Sequence, residues 1–442
     1  MKRALLLCIA LLASPAGAAP TDGPDCTVIA GTRAHVPGGA QDGVTAVLAD
    51  GVIKALGAEI AGLSAPADGG VTWNGRRCAW VDGSAAQLSA GLIEPHSTLG
   101  LVEVSMEAGT RHQDAGGSQP VRAHVRVIDG YDPLSSLIPV ARREGITAAV
   151  LQPDGGSFSG AAAAVRLTGT TQSAAIVRGA GGKQVGRDVA IRAHLSGGAS
   201  FAARLSNLRA VLTEAATYRS NPAAWSAGMG TRADAPPGQS LQALSDALST
   251  GRPLIVSADR ASDLEALASF AVEMGVQLVI EGAAEGWLVA DLLANAGVAV
   301  IIDPFVYGPG GFEQLHARAD NGALLVSAGV PVMISTRSAH FARKLRQMAG
   351  NAVRGGMSHH DALAAITSVP SQVFGLSDLG RLRVGSTADV VLWTGDPLEV
   401  DSWPTHVWIG GVSQSLDSRQ TRLRDRYRTL PGSPTAPLSL PE

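Results

Sequence analysis

The run Pro253-Leu254-Ile255-Val256-Ser257-Ala258 decides the fold when it is read with its successors Gln277-Leu278-Val279-Ile280-Glu281, Val298-Ala299-Val300-Ile301-Ile302 and Val330-Pro331-Val332-Met333-Ile334-Ser335. Each is a short apolar segment of strand length, and alanine-rich amphipathic stretches, Ser262 to Met274 and Trp287 to Ala296, fall between them. Strands that are apolar throughout are covered on both faces, which is the pattern of a parallel sheet whose crossovers are helices. The same alternation reaches back through Gly145 to Gln152 and begins at about Gly91. Repeated over 91–379, it predicts an α/β fold, a (β/α)8 TIM-like barrel rather than an open sheet.

On both sides of this region the texture changes to brief β-prone runs separated by Gly, Pro and Asp. Before it stand Thr27-Val28-Ile29, Val44 to Leu48, Val52-Ile53-Lys54 and Val71-Thr72-Trp73; after it stand Gly380 to Val384, Asp389 to Trp393 and His406 to Gly410. We expect 19–90 and 380–415 to form one composite β-sandwich built from both chain ends, and 416–442 to be a C-terminal tail, loose from about Thr429 where four prolines gather. Residues 1–18 read as a signal peptide: Lys2 and Arg3, an apolar Ala4 to Ala13, and the small-residue site Ala16-Gly17-Ala18. The expected location is periplasmic or secreted. Cys8 leaves with that segment, so Cys26 and Cys78 are either bridged or packed as thiols, and the sequence leaves both open.

With 442 residues, 45% apolar and 17% charged, the chain can bury a large interior. A net charge of -3 gives no footprint for nucleic acid, and no later segment has the length and apolarity of a membrane span. Gly156-Ser157-Phe158-Ser159-Gly160 puts Phe158 where a nucleophile elbow needs serine, and there is no phosphate loop or zinc-type cysteine cluster.

Two segments carry a resemblance. Ala90-Gly91-Leu92-Ile93-Glu94-Pro95-His96-Ser97-Thr98-Leu99-Gly100 is similar to the first barrel strand of the amidohydrolase superfamily, where a Pro-Gly-Leu-Ile-Asp-x-His-x-His run supplies two metal ligands. Gly380 to Trp393, followed by Gly395-Asp396-Pro397, resembles that family's C-terminal β segment. The chain looks most like the imidazolonepropionase-like and prolidase-like branches. The resemblance implies a hydrolase of amide or cyclic amide C–N bonds with a divalent metal at the barrel mouth, which acidifies a water and polarises the scissile carbonyl.

Set against that pattern, His96 matches the first histidine and is the one family metal ligand retained. Thr98, Ser257 and Gly282 stand where further histidines are expected, and Arg337 takes the place of the aspartate that ligates metal and moves the proton. Hydroxyls and a permanently charged guanidinium do not replace imidazoles and a carboxylate. No cofactor is expected, with zinc or another divalent metal only if the family site is retained. The candidate catalytic residues are His96, Asp259 and Arg337, with Asp259 and Arg337 as an ion pair across the mouth; Arg337 either holds a substrate carboxylate or merely neutralises Asp259 and Glu281 in a dead site. His194, as a partner for His96, and Arg337 are candidates for binding substrate. The glycine-rich 109–117 loop is expected to cover the mouth, and His359-His360 to cap a surface helix. Two readings stay open: an exported C–N hydrolase with an altered mechanism, or a non-catalytic relative that binds a small molecule, forms a homo-oligomer or pairs with an active paralogue.

Overall fold

The computed structural model describes residues 25–63, 70–117, 119–179, 182–195, 200–225, 235–376 and 378–428. The signal-peptide segment 1–18 and the proline-rich end from Thr429 lie outside the described residues. The first sheet takes Cys26–Val36 (β1), Gly39–Ala49 (β2), Val52–Gly57 (β3), Gly70–Trp73 (β4), Arg76–Asp82 (β5) and Gln87–Ala90 (β6) from the start of the chain. β1 is long enough to pair in parallel with β5 along one half and with β6 along the other. In that register Cys26 faces Cys78 with Cα atoms 4.4 Å apart, and the two form a disulfide.

The barrel follows, as Leu92–Ser97 (β7), Ile146–Leu151 (β8), Phe158–Arg166 (β9), Ala190–Ala193 (β10), Leu254–Ala258 (β11), Leu278–Gly282 (β12), Ala299–Ile302 (β13) and Val332–Ile334 (β14). These form one eight-stranded sheet in sequential order, with β14 returning beside β7. Most neighbours are parallel, as the alternation predicts. β9 is the departure: it runs antiparallel to both β8 and β10. The cause is its connections. A turn through Gly155 and Gly156, both left-handed, folds β8 straight back into β9, and among the described residues the return to β10 holds the four-residue helix Gln172–Ala175 in place of a long crossover helix.

The chain then re-enters the first sheet as Val390–Trp393 (β15), Pro404–Ile409 (β16) and Val412–Ser413 (β17), with β15 antiparallel to β6. The order β17-β16-β15-β6-β1-β2-β3 thus joins both ends of the chain in one β unit. Asp389 ties this unit to the barrel. Its buried carboxylate pairs with Arg166 at the end of β9 and accepts the Gly410 N–H at 2.6 Å. Two expectations are corrected here. Gly380 to Val384 is turn, not strand, because Gly380 is left-handed (φ +66°) and packs so tightly that a Cβ would sit 2.2 Å from the Thr367 carbonyl. The expected tail from Leu416 contains a helix, Arg419–Tyr427, started by a capping box in which Ser418 and Thr421 satisfy each other's backbone N–H.

Candidate functional site at the barrel mouth

Side chains alternate across a strand, so the barrel interior takes every second residue. Ile255, Val279, Ile301 and Met333 fill the inner core. Two residues further on, at the C-terminal ends, the same inward positions hold Ser257, Glu281, Asp303 and Ser335. A greasy barrel floor therefore ends in a polar ring.

Glu281 is the centre of that ring. It is 4% exposed, accepts from His96 Nδ1 at 2.7 Å, and pairs through its other oxygen with Arg192 of β10. Arg192 is itself buried and also donates to Ser257 Oγ (2.7 Å) and Gln152 Oε1 (3.2 Å), while Gln152 donates to the Pro95 carbonyl at 3.1 Å. Arg337 Nε lies 3.8 Å from Glu281 and Arg337 Nη2 lies 3.5 Å from Asp303. Burial pushes the Glu281 carboxyl up, but the charges of His96, Arg192 and Arg337 outweigh it and hold the group below the ordinary glutamate range. Glu281 is thus a buried carboxylate with cationic partners on both oxygens.

Glu94, on β7 two residues before His96, behaves in the opposite way. It is fully buried, and burial pushes it up to about 7 against hydrogen bonds from Ser335, the Thr336 side chain and backbone, and the His96 N–H. Those bonds tie β7 to the end of β14 and close the barrel there.

The sequence candidates fall out as follows. His96 and Arg337 are brought together on Glu281. Asp259 is not paired with Arg337: its oxygens accept from Ala284 N (3.1 Å) and Gln314 Nε2 (2.9 Å), so it anchors the loop after β13. Gly282, left-handed at φ +107°, has no room for a side chain, since a Cβ would sit 2.4 Å from Asp259 Oδ1. His194 is not a partner of His96. Its Nε2 lies 3.1 Å from Asp154 Oδ1, and this contact holds the Asp154 carboxyl down at about 2. The 109–117 loop lies against this side of the mouth, where Gln113 accepts from Asp154 N and Ala115 donates to the Asp154 carbonyl. His359 and His360 do not cap their helix; Ser358 does.

Glu281, Arg192 and Glu94 are the residues that sequence reasoning underused. Each is a charge inside an otherwise apolar strand, and that interruption was the available signal.

The residues present do not fit the divalent metal that the resemblance implies. His96 has spent Nδ1 on Glu281, two guanidinium groups crowd the same carboxylate, and among the described residues no three His, Cys, Asp or Glu side chains converge as a ligand set.

Comparison with known proteins agrees with this architecture. The model of the Amidohydrolase family matches residues 312–413, which hold β14, Arg337 and the Asp389 segment. The curated relatives include the amidohydrolase tasK of Hapsidospora irregularis, 28% identical over 165 residues, and an adenine deaminase of Methanopyrus kandleri, 37% identical over 87 residues. These stretches cover 35% and 20% of this chain but only 16% and 13% of those longer proteins. Among solved structures, an amidohydrolase from Thermotoga maritima MSB8 superposes with a TM-score of 0.73 at 20% identity, over 88% of this chain and 99% of its own. A prolidase complexed with N-methylphosphonate-L-proline superposes with a TM-score of 0.51 at 13% identity, over 88% and 99%. The family match is confined to residues 312–413, where the chain is similar to the Amidohydrolase family, and the likeness to the solved structures, at 20% and 13% identity, shows a shared fold of barrel and composite β unit.

Proposed function

We propose that this protein hydrolyses an amide or cyclic amide C–N bond of a small molecule outside the cytoplasm, by a route in which protein charges replace the family's metal. The observation that carries the reading is the His96–Glu281 contact of 2.7 Å. An ionised Glu281 holds the proton on Nδ1, so Nε2 is the basic nitrogen, and among the described residues it has no hydrogen-bond partner. His96 Nε2 takes a proton from water as the water oxygen attacks the carbonyl carbon. Arg337, 42% exposed, donates to the carbonyl oxygen as it becomes an oxyanion. The tetrahedral intermediate collapses with C–N cleavage, and the imidazolium returns its proton to the leaving nitrogen. Asp259 and Glu285 are positioning residues: Glu285 accepts from Ala261 N and His316 N, both at 3.0 Å, and with Asp259 fixes the loop that rims the mouth. The disulfide and the 1–18 segment support an oxidising compartment.

A second reading, a non-catalytic barrel that binds a small molecule or pairs with an active paralogue, is favoured by Arg192. Its bonds to Glu281, Ser257 and Gln152 lock together positions at which the family's chemistry would need freedom to ligate.

The test is hydrolysis of a panel of dipeptides and cyclic amides, with metal content measured on the same sample. Hydrolysis unchanged by chelator or zinc, and lowered roughly a hundredfold or more in His96→Asn, is the expected result for a positioned general base. Stoichiometric metal with zinc-dependent turnover overturns the metal-free route, and a substrate amide that binds without turnover establishes the second reading.

A further inference from the structure

Away from the mouth, a cavity of about 360 Å³ opens at the seam between the β unit and the barrel, within the size range of small-molecule sites. It lies between the β1–β2 turn, the helix His359–Ala364 and the turn after Gly380. Its charged or titratable side chains are of one kind, beside the hydroxyl residues Thr367 and Ser368. His35, His359, His360, Arg381 and Arg383 line it, and among the described residues no Asp or Glu does, in a chain whose net charge is -3. The other walls are apolar, including Val36, Leu363 and Leu382.

The two inner imidazoles are held in place. Their rings stack with centroids 5.4 Å apart; His35 Nε2 is bonded to Gln87 Oε1 at 2.7 Å and His359 Nε2 to Asp396 Oδ1 at 2.8 Å. Each ring therefore donates from Nε2, and its Nδ1 has no partner among the described residues. Burial, with the nearby His359 and Arg33 charges, lowers His35 against the opposing pull of Gln87 and Asp396, so the permanent positive charge at the seam rests on Arg381 and Arg383. Arg383 is only loosely engaged, by Ser386 Oγ at 3.3 Å.

We propose that this cavity binds a small organic anion, a carboxylate with an apolar body, through Arg381 and Arg383 and the apolar walls, independently of the mouth. A lone pair of arginines with no acid opposite lacks the counter-charge that neutralises Arg192 and Arg337, and a ligand carboxylate supplies it by bidentate, charge-assisted hydrogen bonds. The turn after Gly380, where a strand was expected, is what presents both arginines to the cavity.

The test is calorimetric titration of the purified protein with benzoate, and with benzamide as the neutral isostere. Benzoate is expected to bind and benzamide not. Benzoate affinity should fall roughly tenfold or more in the Arg381→Met/Arg383→Met double variant and stay unchanged in Arg337→Met. Ala40→Trp, at the exposed rim, should block binding without touching the core, and guards against the double variant failing to fold. No benzoate binding, equal binding of benzamide, or loss in Arg337→Met with retention in the seam variants would each overturn the proposal.

Discussion

Two buried carboxylates, Asp389 at the seam and Glu281 at the mouth, are built from the same chemistry and finished differently. Asp389 takes one arginine, Arg166, and one backbone N–H, Gly410; its carboxylate is fully buried, and both oxygens are spent on these two partners. Glu281 is shared by Arg192, His96 and Arg337, and of these Arg192 is buried while Arg337 is 42% exposed and His96 partly so. A closed pair resists separation of the two units it joins. An open one keeps a base and a cation poised at a surface, at the cost of saturating less of its own hydrogen bonding.

The largest effect should come from breaking the closed pair. Arg166→Met leaves Asp389 buried and charged, and we expect a loss of about 3–5 kcal/mol in urea unfolding, with the mouth's activity and ligand affinity unchanged in whatever fraction stays folded. A loss under about 1 kcal/mol would show that the seam is held by packing, such as the Trp393 ring against Gly145 just before β8, and that the contrast with the mouth is false.

The two mouth glutamates sharpen the contrast through pH. Glu94 is raised from its ordinary value of 4.5 to about 7, so between those limits the folded state binds a proton that the unfolded state has released. Its favourable contribution is complete below the unfolded value and is lost as pH rises through about 7, a decline of roughly 3 kcal/mol between pH 4.5 and 7. Glu281 is depressed, so its contribution is present above the unfolded value and is lost on acidification. Unfolding free energies measured from about pH 2 to 8 should therefore lose their slope between pH 4.5 and 7 in Glu94→Gln and their slope below pH 4.5 in Glu281→Gln. An unchanged slope in Glu94→Gln would mean that the four donors around it keep it ionised after all.

Much of this was legible beforehand, and the reasons are physical. Strands buried on both faces announce themselves as apolar runs, so β11 to β14 and the barrel they imply could be read directly, as could the return of the chain to its own first sheet. β9 could not be read as reversed, because Phe158 to Arg166 is as apolar as a parallel strand and only the short turn from β8 sets its direction. At the site, the positions of His96 and Arg337 were visible, and Glu281 stood with Asp259 as a carboxylate that Arg337 could neutralise, but not as the one on which His96 also converges. Asp259 looked like the natural counter-ion because it is near in sequence to a family ligand position. Asp259 shares the inward parity of Ile255 and Ser257 but lies past the end of β11, where it turns to Ala284 and Gln314 in the adjoining loops, whereas Glu281 lies within β12 and is held toward the axis.

Arg337 gives the smallest stability effect and the cleanest separation of the two kinds of arginine. Its backbone is left-handed, at φ +52°, a conformation that costs a residue with a Cβ roughly 1–2 kcal/mol and costs glycine nothing. Its contacts to Glu281 and Asp303 are long and partly exposed, worth about 0–1 kcal/mol. Arg337→Gly should therefore leave stability unchanged or raise it by about 1 kcal/mol while lowering turnover or ligand affinity at the mouth. The strain is then retained for what the guanidinium does to a ligand, not for what it does to the fold. If Arg337→Gly instead destabilises the protein by more than about 1 kcal/mol, Arg337 belongs with Arg166 as a closing residue, and the mouth loses this exposed cation facing Glu281 as a candidate for substrate recognition.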